Sequence, residues 1–174
     1  MMKKLEIGND SPRDSSWETV NLDPRCEPTY LAGACSIPVE DNTFDLVYAS
    51  HILEHIQYAH GDICVNAAIT EWCRVLRSGG VLMIGVPDLV TLCDLYLHHP
   101  KDRVYIMRMI YGGQTSEFDF HQVGFDQELL TAHLHYVGFQ HIKRVVDFGQ
   151  FKGDCTTLEF NNARISLNMK AMKP

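Results

Sequence analysis

Ser50-His51 and Glu54-His55 place a hydroxyl, two imidazoles and a carboxylate just after an apolar run, FDLVYA at 44–49. Imidazole titrates near neutrality, so it can serve as base, acid or metal ligand. HILEH also fits the H-x-x-E-H pattern of an inverted zinc peptidase. His51 and His55, four apart on a helix, would face one metal. That chemistry needs a third, acidic ligand on a later helix, for which Glu71 is the candidate, and Glu54 as general base. A second constellation, Tyr111, Gln114, Asp119, His121 and Gln122, lies in an irregular stretch rich in aromatic and polar residues. Bland alternatives stand beside each. His51 can be a polar helix-start residue, His121 can simply bond a loop carbonyl, and Glu54 and His55 can fix a short helix on its neighbours. His98-His99 and His133-x-His135 read as solvated or rim positions.

The elements that must position these residues alternate between strand and helix. KKLEI at 3–7, ETVNL at 18–22 and TYL at 29–31 read as short strands, with the turn-rich GNDSPRDSS between the first two. FDLVYA at 44–49 and VLMIGV at 81–86 are continuous apolar runs, as expected of strands covered on both faces. Between them the pattern is helical from Asp62 to Arg77. Val65, Ile69, Trp72 and Leu76 share one face, and Ser78-Gly79-Gly80 supplies a glycine stop. Residues 88–98 and 101–111 predict two helices split by Pro100, with Met107 and Met109 as core filling. Asp126 caps a further helix over 127–137, which Gly138 ends. HIKRVVDF at 141–148 and ARISLNMKAM at 163–172 are closing strands. The pattern predicts an α/β three-layer sandwich in which ligands lie beyond the carboxyl ends of the strands.

Composition narrows the function classes. The chain has 174 residues, 45% of them hydrophobic and 21% charged, which suits one globular domain over 1–174. A net charge of −7 without a basic tract excludes a nucleic-acid backbone as main partner. No apolar run approaches the roughly 20 residues that span a bilayer. MMKKLEIGND does not read as a secretory signal, so the expected location is cytoplasmic. The six cysteines are scattered and never form CxxC, which predicts free buried thiols rather than disulfides or a zinc knuckle.

LEIG, NLDP, DNTFDLVYASHILEHI and EWCRVLRSGGVLMIGVPDL together resemble the class I S-adenosylmethionine-dependent methyltransferases. With YGGQ, FDFHQVGFD and SLNMKA, the likeness extends to a short branch associated with saccharide biosynthesis and covers nearly the whole chain. The resemblance implies a Rossmann-like, seven-stranded, mostly parallel sheet of order 3-2-1-4-5-7-6 with strand 7 antiparallel. It implies S-adenosylmethionine as cofactor and a small-molecule acceptor, with a sugar-linked one as the finer reading. Glu6, Gly8 and Asn9 would form the cofactor loop after strand 1, although Asn9, Asp10 and Ser11 replace its usual later glycines. The helix that usually follows strand 1 is then missing or reduced to one turn.

The resemblance further implies that Asp23 accepts from the ribose hydroxyls. Gly33 replaces the acidic residue that often reads adenine, leaving backbone amides at Ala34 or Cys35. Ser50 and His51 would face the methionine part. Methyl transfer to a hydroxyl or amine needs a base, for which His121 has a suitable pKa range, with Asp119 to orient it. No metal ligand is expected among these residues. The rival function is a degenerate methyltransferase fold acting as a binding or scaffold module, favoured by the glycine-poor loop and Gly33. A homodimer is one way to cover an open cleft, and Tyr105, Tyr111, Phe118 and Phe120 are candidates for its interface.

Overall fold

Residues 2–8, 14–58, 61–62 and 64–174 are described in the computed structural model of the chain. The continuous apolar runs become the middle of a sheet. β4 (Phe44–Ser50) is buried at five of its seven positions, as a strand covered on both faces must be. It lies between β1 (Lys4–Ile7) and β5 (Leu76–Pro87), parallel to both. β2 (Glu18–Asn21) and β3 (Tyr30–Leu31) extend the sheet beyond β1. β6 (Gln140–Val145) lies at the other edge. Two short strands, β7 (Glu159–Phe160) and β8 (Ala163–Arg164), form a hairpin before β9 (Ser166–Met172). β9 inserts antiparallel between β5 and β6. The order β3-β2-β1-β4-β5-β9-β6 is the expected 3-2-1-4-5-7-6, with β9 as the seventh strand.

Helix α1 (Val65–Val75) buries Val65, Ala68, Ile69, Trp72 and Val75 in one face. α4 (Gln127–Val137) adds Leu130 and Leu134 to the same core, against Leu5, Ile7, Val47, Ala49, Leu82 and Ile84 of the sheet. Each such large side chain contributes about 1.5–3 kcal/mol by leaving water. Asp126 caps α4 by accepting from the Leu129 amide at 2.8 Å, and Gly138 ends it at φ +102. α2 (Leu89–His98) and α3 (Arg103–Tyr111) pack together around Leu92, Leu95, Ile106 and Ile165. On the opposite face Leu46, Tyr48 and Met83 meet Trp17, Phe148 and Phe151, so aromatic rings form the covering layer there. Tyr48 contacts those rings edge-on, with centroids 5.2–6.0 Å away. Among the described residues no helix is long and apolar enough to cross a membrane.

Several local expectations are corrected. α1 stops at Val75 rather than Arg77, because fully buried Leu76 turns extended and pairs with Phe44. Gly79 and Gly80 therefore lie in β5, where the Gly79 amide donates to Lys173 O and the Lys173 amide to Gly80 O, both at 2.9 Å. The short helix expected after β4 is a single 3-10 turn, Leu53–His55. All six cysteines are free, as expected, but none is fully buried, and Cys93 and Cys155 are exposed. Met109 packs on a core cluster, whereas Met107 is exposed. His133 is no solvated rim residue: half-buried, it bonds Asn66 Oδ1 at 2.8 Å and stacks on Tyr58.

Candidate functional site

The carboxyl ends of β1, β2 and β4 open onto one crevice of about 1600 Å³. Gly8, Asp23, Ala34, Cys35, Ser50, His51 and His121 all line it. Glu6 does not line it and is buried within β1. Asn9 lies outside the described residues.

At one end of the crevice Asp23 follows β2 and starts a 3-10 turn, Pro24–Cys26. Its carboxylate accepts from the Arg25 amide and Nε at 2.9 Å and from Nη2 at 2.5 Å. Those bonds hold the Asp23 carboxyl below its ordinary range. The ribose acceptor expected from the sequence is thus paired with a cation whose own side chain is 81% exposed. Gly8, at φ +79, donates its amide to Val20 O at 2.8 Å. A Cβ there would lie 1.8 Å from Ile52 Cδ1, so the absent side chain makes room for Ile52. The 33–36 turn is closed by the Ser36 amide on Gly33 O. Buried Trp72 pins it by donating Nε1–H to Ala34 O at 2.9 Å.

Past β4 the chain bends sharply at His51, whose φ of +55 is uncommon for a residue with a side chain. The His51 amide returns to Gly85 O at 2.8 Å. Its Nε2 lies 2.8 Å from Ser166 Oγ, and that hydroxyl donates to Cys155 O, so Nε2 carries the proton and donates. Ser50 turns the other way and donates to Asp154 Oδ1 at 2.8 Å. Buried Tyr48 donates its hydroxyl to the same carboxylate, and the Thr156 amide reaches it at 2.9 Å. Ser50 and His51 therefore line the crevice while fastening the segments around 154–157 and 166.

Glu54 is the residue the sequence left obscure. It is 1% exposed, and neither carboxylate oxygen has a hydrogen-bond partner among the described residues. His51 Nδ1 stands 3.1 Å from Oε1 but off the line of a good hydrogen bond, so the two form an ion pair only when the imidazole is protonated. Burial pushes the Glu54 carboxyl up, yet His51 and His55 outweigh it and hold it below its ordinary value. His55 and His121 meet edge to face with ring centroids 4.8 Å apart. Burial lowers the pKa of His121, against the pull of Glu54 and with that of His55. A ligand atom from each of Glu54, His55 and His121 falls within 4.8 Å of the others.

Asp119 does not orient His121 as the sequence suggested. Its carboxylate accepts from the Gly113 amide at 3.1 Å, the Thr115 amide at 3.2 Å and Thr115 Oγ1 at 2.6 Å, closing the loop on itself. Gly112 lets that loop fold, since a Cβ there would meet Asp119 O at 2.3 Å. The His121 amide donates to Tyr111 O at 3.1 Å. Gln122 ties the strand-like end to the 3-10 turn, its amide on Glu54 O and its side chain on His55 O. Glu71, the acid required by the peptidase pattern, accepts from the Ile37 amide at 2.6 Å and from Arg74. With His51 turned to Ser166, that pattern is not assembled. Tyr105, Tyr111, Phe118 and Phe120 are all exposed.

The sequence offered Glu54 only as a peptidase base or a residue fixing a short helix, and gave no sign that it is buried beside His55 and His121. Asp154 and Ser166 carried no local signal, being 104 and 115 positions from their partners Ser50 and His51.

Residues 13–84 match a family model described as a methyltransferase domain. No curated protein sequence matches the chain. An S-adenosylmethionine-dependent methyltransferase of Thermotoga maritima is similar in structure, with TM-score 0.61 and 15% identity over 100% of this chain and 83% of the other. One from Methanosarcina mazei superposes with TM-score 0.59 and 15% identity, covering 99% and 92%. A phosphoethanolamine N-methyltransferase of Haemonchus contortus, solved with S-adenosylmethionine, gives TM-score 0.58 and 14% identity over 99% of this chain. This chain spans 49% of that protein. The chain thus carries a methyltransferase-domain match over residues 13–84 and has the Rossmann-like fold of the S-adenosylmethionine-dependent methyltransferases.

Proposed function

We propose that the chain is an S-adenosylmethionine-dependent methyltransferase acting on a small molecule. The observation that carries this reading is the crevice running from Asp23, at the end of β2, to His121 across the ends of β1 and β4. Its residues fit the cofactor. Gly8 takes the left-handed turn after β1 at φ +79, Asp23 offers a carboxylate to vicinal hydroxyls, and Trp72 braces the 33–36 turn where a purine would rest. Gly8, Asp23, Ala34 and Cys35 would hold the nucleoside, with Ser50 and His51 toward the methionine part.

Bound there, S-adenosylmethionine would supply an electrophilic methyl group on a sulfonium. A hydroxyl or amine acceptor would attack that methyl carbon as the carbon–sulfur electron pair passes to sulfur, and would give up its proton to His121. His121 and His55 stand at the acceptor end, and His121 is the group we assign to catalysis. Burial keeps its ring neutral, which leaves a lone pair for the acceptor end. A sugar-linked acceptor rests on the sequence resemblance.

A scaffold without turnover is the second reading, favoured by the Asp23–Arg25 pair and by Ile52 standing over Gly8. Calorimetry with S-adenosylhomocysteine separates the two. Asp23→Ala should weaken binding at least about tenfold, equivalent to about 1.4 kcal/mol, whereas Arg25→Ala should preserve or strengthen it. His121→Ala should abolish turnover and leave that affinity within severalfold. A wild-type chain that binds neither adenosyl compound sinks the enzyme reading and leaves the scaffold.

A further inference from the structure

We propose that Glu54, His55 and His121 form a binding site for a divalent first-row transition ion, with an open coordination position toward the crevice. Their ligand atoms already lie within 4.8 Å of one another. Tetrahedral bonds of about 2.0–2.2 Å set two ligands of one ion roughly 3.3–3.6 Å apart, so the group needs to draw in by up to about 1.5 Å.

The polar atoms here are those a cation would satisfy. Both oxygens of buried Glu54 and the Nδ1 of His121 are enclosed without a hydrogen-bond partner among the described residues. Burying such atoms unpaired is costly, and a carboxylate more than most. His55 is prepared differently. Its Nδ1 lies 3.0 Å from Phe120 O, which can only accept, so Nδ1 holds the proton and Nε2 offers its lone pair. A backbone carbonyl fixing the tautomer in this way is the usual support of a metal-bound histidine. Gln122 fastens the His121 segment to the turn carrying Glu54 and His55, through Glu54 O at 2.8 Å and His55 O at 2.9 Å. The ligands thus come from two segments held in register.

Two imidazoles and a carboxylate suit zinc, manganese, iron or cobalt better than magnesium or calcium. Three protein ligands leave a position for water or substrate, and His55 and His121 both line the crevice. This is not the inverted peptidase pattern, because His51 spends Nε2 on Ser166 and stands beside Glu54 rather than on the ion. An ion lowers the pKa of a bound hydroxyl, so with the ion in place a hydroxyl acceptor would be activated by the metal, and His121 would act as its ligand rather than as the base. That activation rests on the proposed methyl transfer; ion binding does not.

The test uses the full chain after chelator treatment. Zinc is titrated by calorimetry, and cobalt by its visible absorption. The wild type should bind one ion per chain, with a cobalt spectrum lacking thiolate charge-transfer bands. Glu54→Gln and His121→Ala should each weaken binding at least about tenfold, while a Cys35→Ser, Cys64→Ser double variant binds as the wild type. Should Glu54→Gln fail to fold, as judged by circular dichroism, His55→Ala, at the half-buried end of the turn, gives the same reading. A wild type that binds neither ion overturns the site, as does undiminished binding by His121→Ala. S-adenosylhomocysteine titrated into the same metal-free samples reports on the cofactor crevice independently, so either reading can fail alone.

Discussion

Gly8 shows how much one missing methyl can decide. A positive φ of 79° and a virtual Cβ 1.8 Å from Ile52 Cδ1 make two separate demands on this position. An alanine adopting the left-handed conformation is disfavoured by about 1–2 kcal/mol, and displacing Ile52 adds a similar amount. Gly8→Ala should therefore lower Tm by about 4–16 °C, at roughly 2–4 °C per kcal/mol for a chain of this size. The Ile52→Ala change removes only the steric part, so the double variant should lose clearly less than the sum of the singles. Strict additivity in thermal melts would show that Ile52 is not what Gly8 accommodates.

At the scale of elements, the clearest link joins α1 to the loop before β4. Arg74, on the last turn of the helix, donates to Ile37 O, Val39 O, Asp41 and Glu71, while Glu71 takes the Ile37 amide. Burial pushes the Glu71 carboxyl up, but Arg74 and the Ile37 amide outweigh it and hold it below its ordinary 4.5. A carboxyl depressed by folding stabilises above its unfolded pKa and loses that contribution as pH falls through the folded one. Glu71→Gln should thus melt lower than the wild type at pH 7, and the gap should close as pH drops below about 4.5. A gap that stays constant down to pH 3 would place the stabilisation elsewhere.

For the whole molecule, the aromatic layer and the crevice are joined by Asp154. Its carboxylate, in a residue 3% exposed, gathers Tyr48, Ser50 and the Thr156 amide, and so holds residues 154–157 against the end of β4. Burial and this bond push the Tyr48 phenol well above its ordinary range. Asp154→Ala leaves the buried phenol without its acceptor and should cost about 3 kcal/mol, a Tm decrease of about 6–12 °C. A decrease under about 2 °C would mean that the layer is held by ring packing alone. The continuous apolar runs, the α1 face and the Asp126 and Gly138 caps were legible because each signal depends on residues a few positions apart. The end of α1 was not. Leu76 continues the helical period, and only its pairing with Phe44 pulled it into the sheet.

By itself the sequence determined most of the segments that became strands and helices, and that the polar cluster after FDLVYA sits where an α/β sheet binds ligands. Those properties follow from side-chain period and local backbone preference. The tertiary structure decided how each polar group is used: Asp119 on its own loop, Ser50 on Asp154, His51 on Ser166, and Glu54 buried beside His55 and His121. Such pairings depend on which distant segments the packed core brings within about 3 Å, and no spacing along the chain encodes that distance.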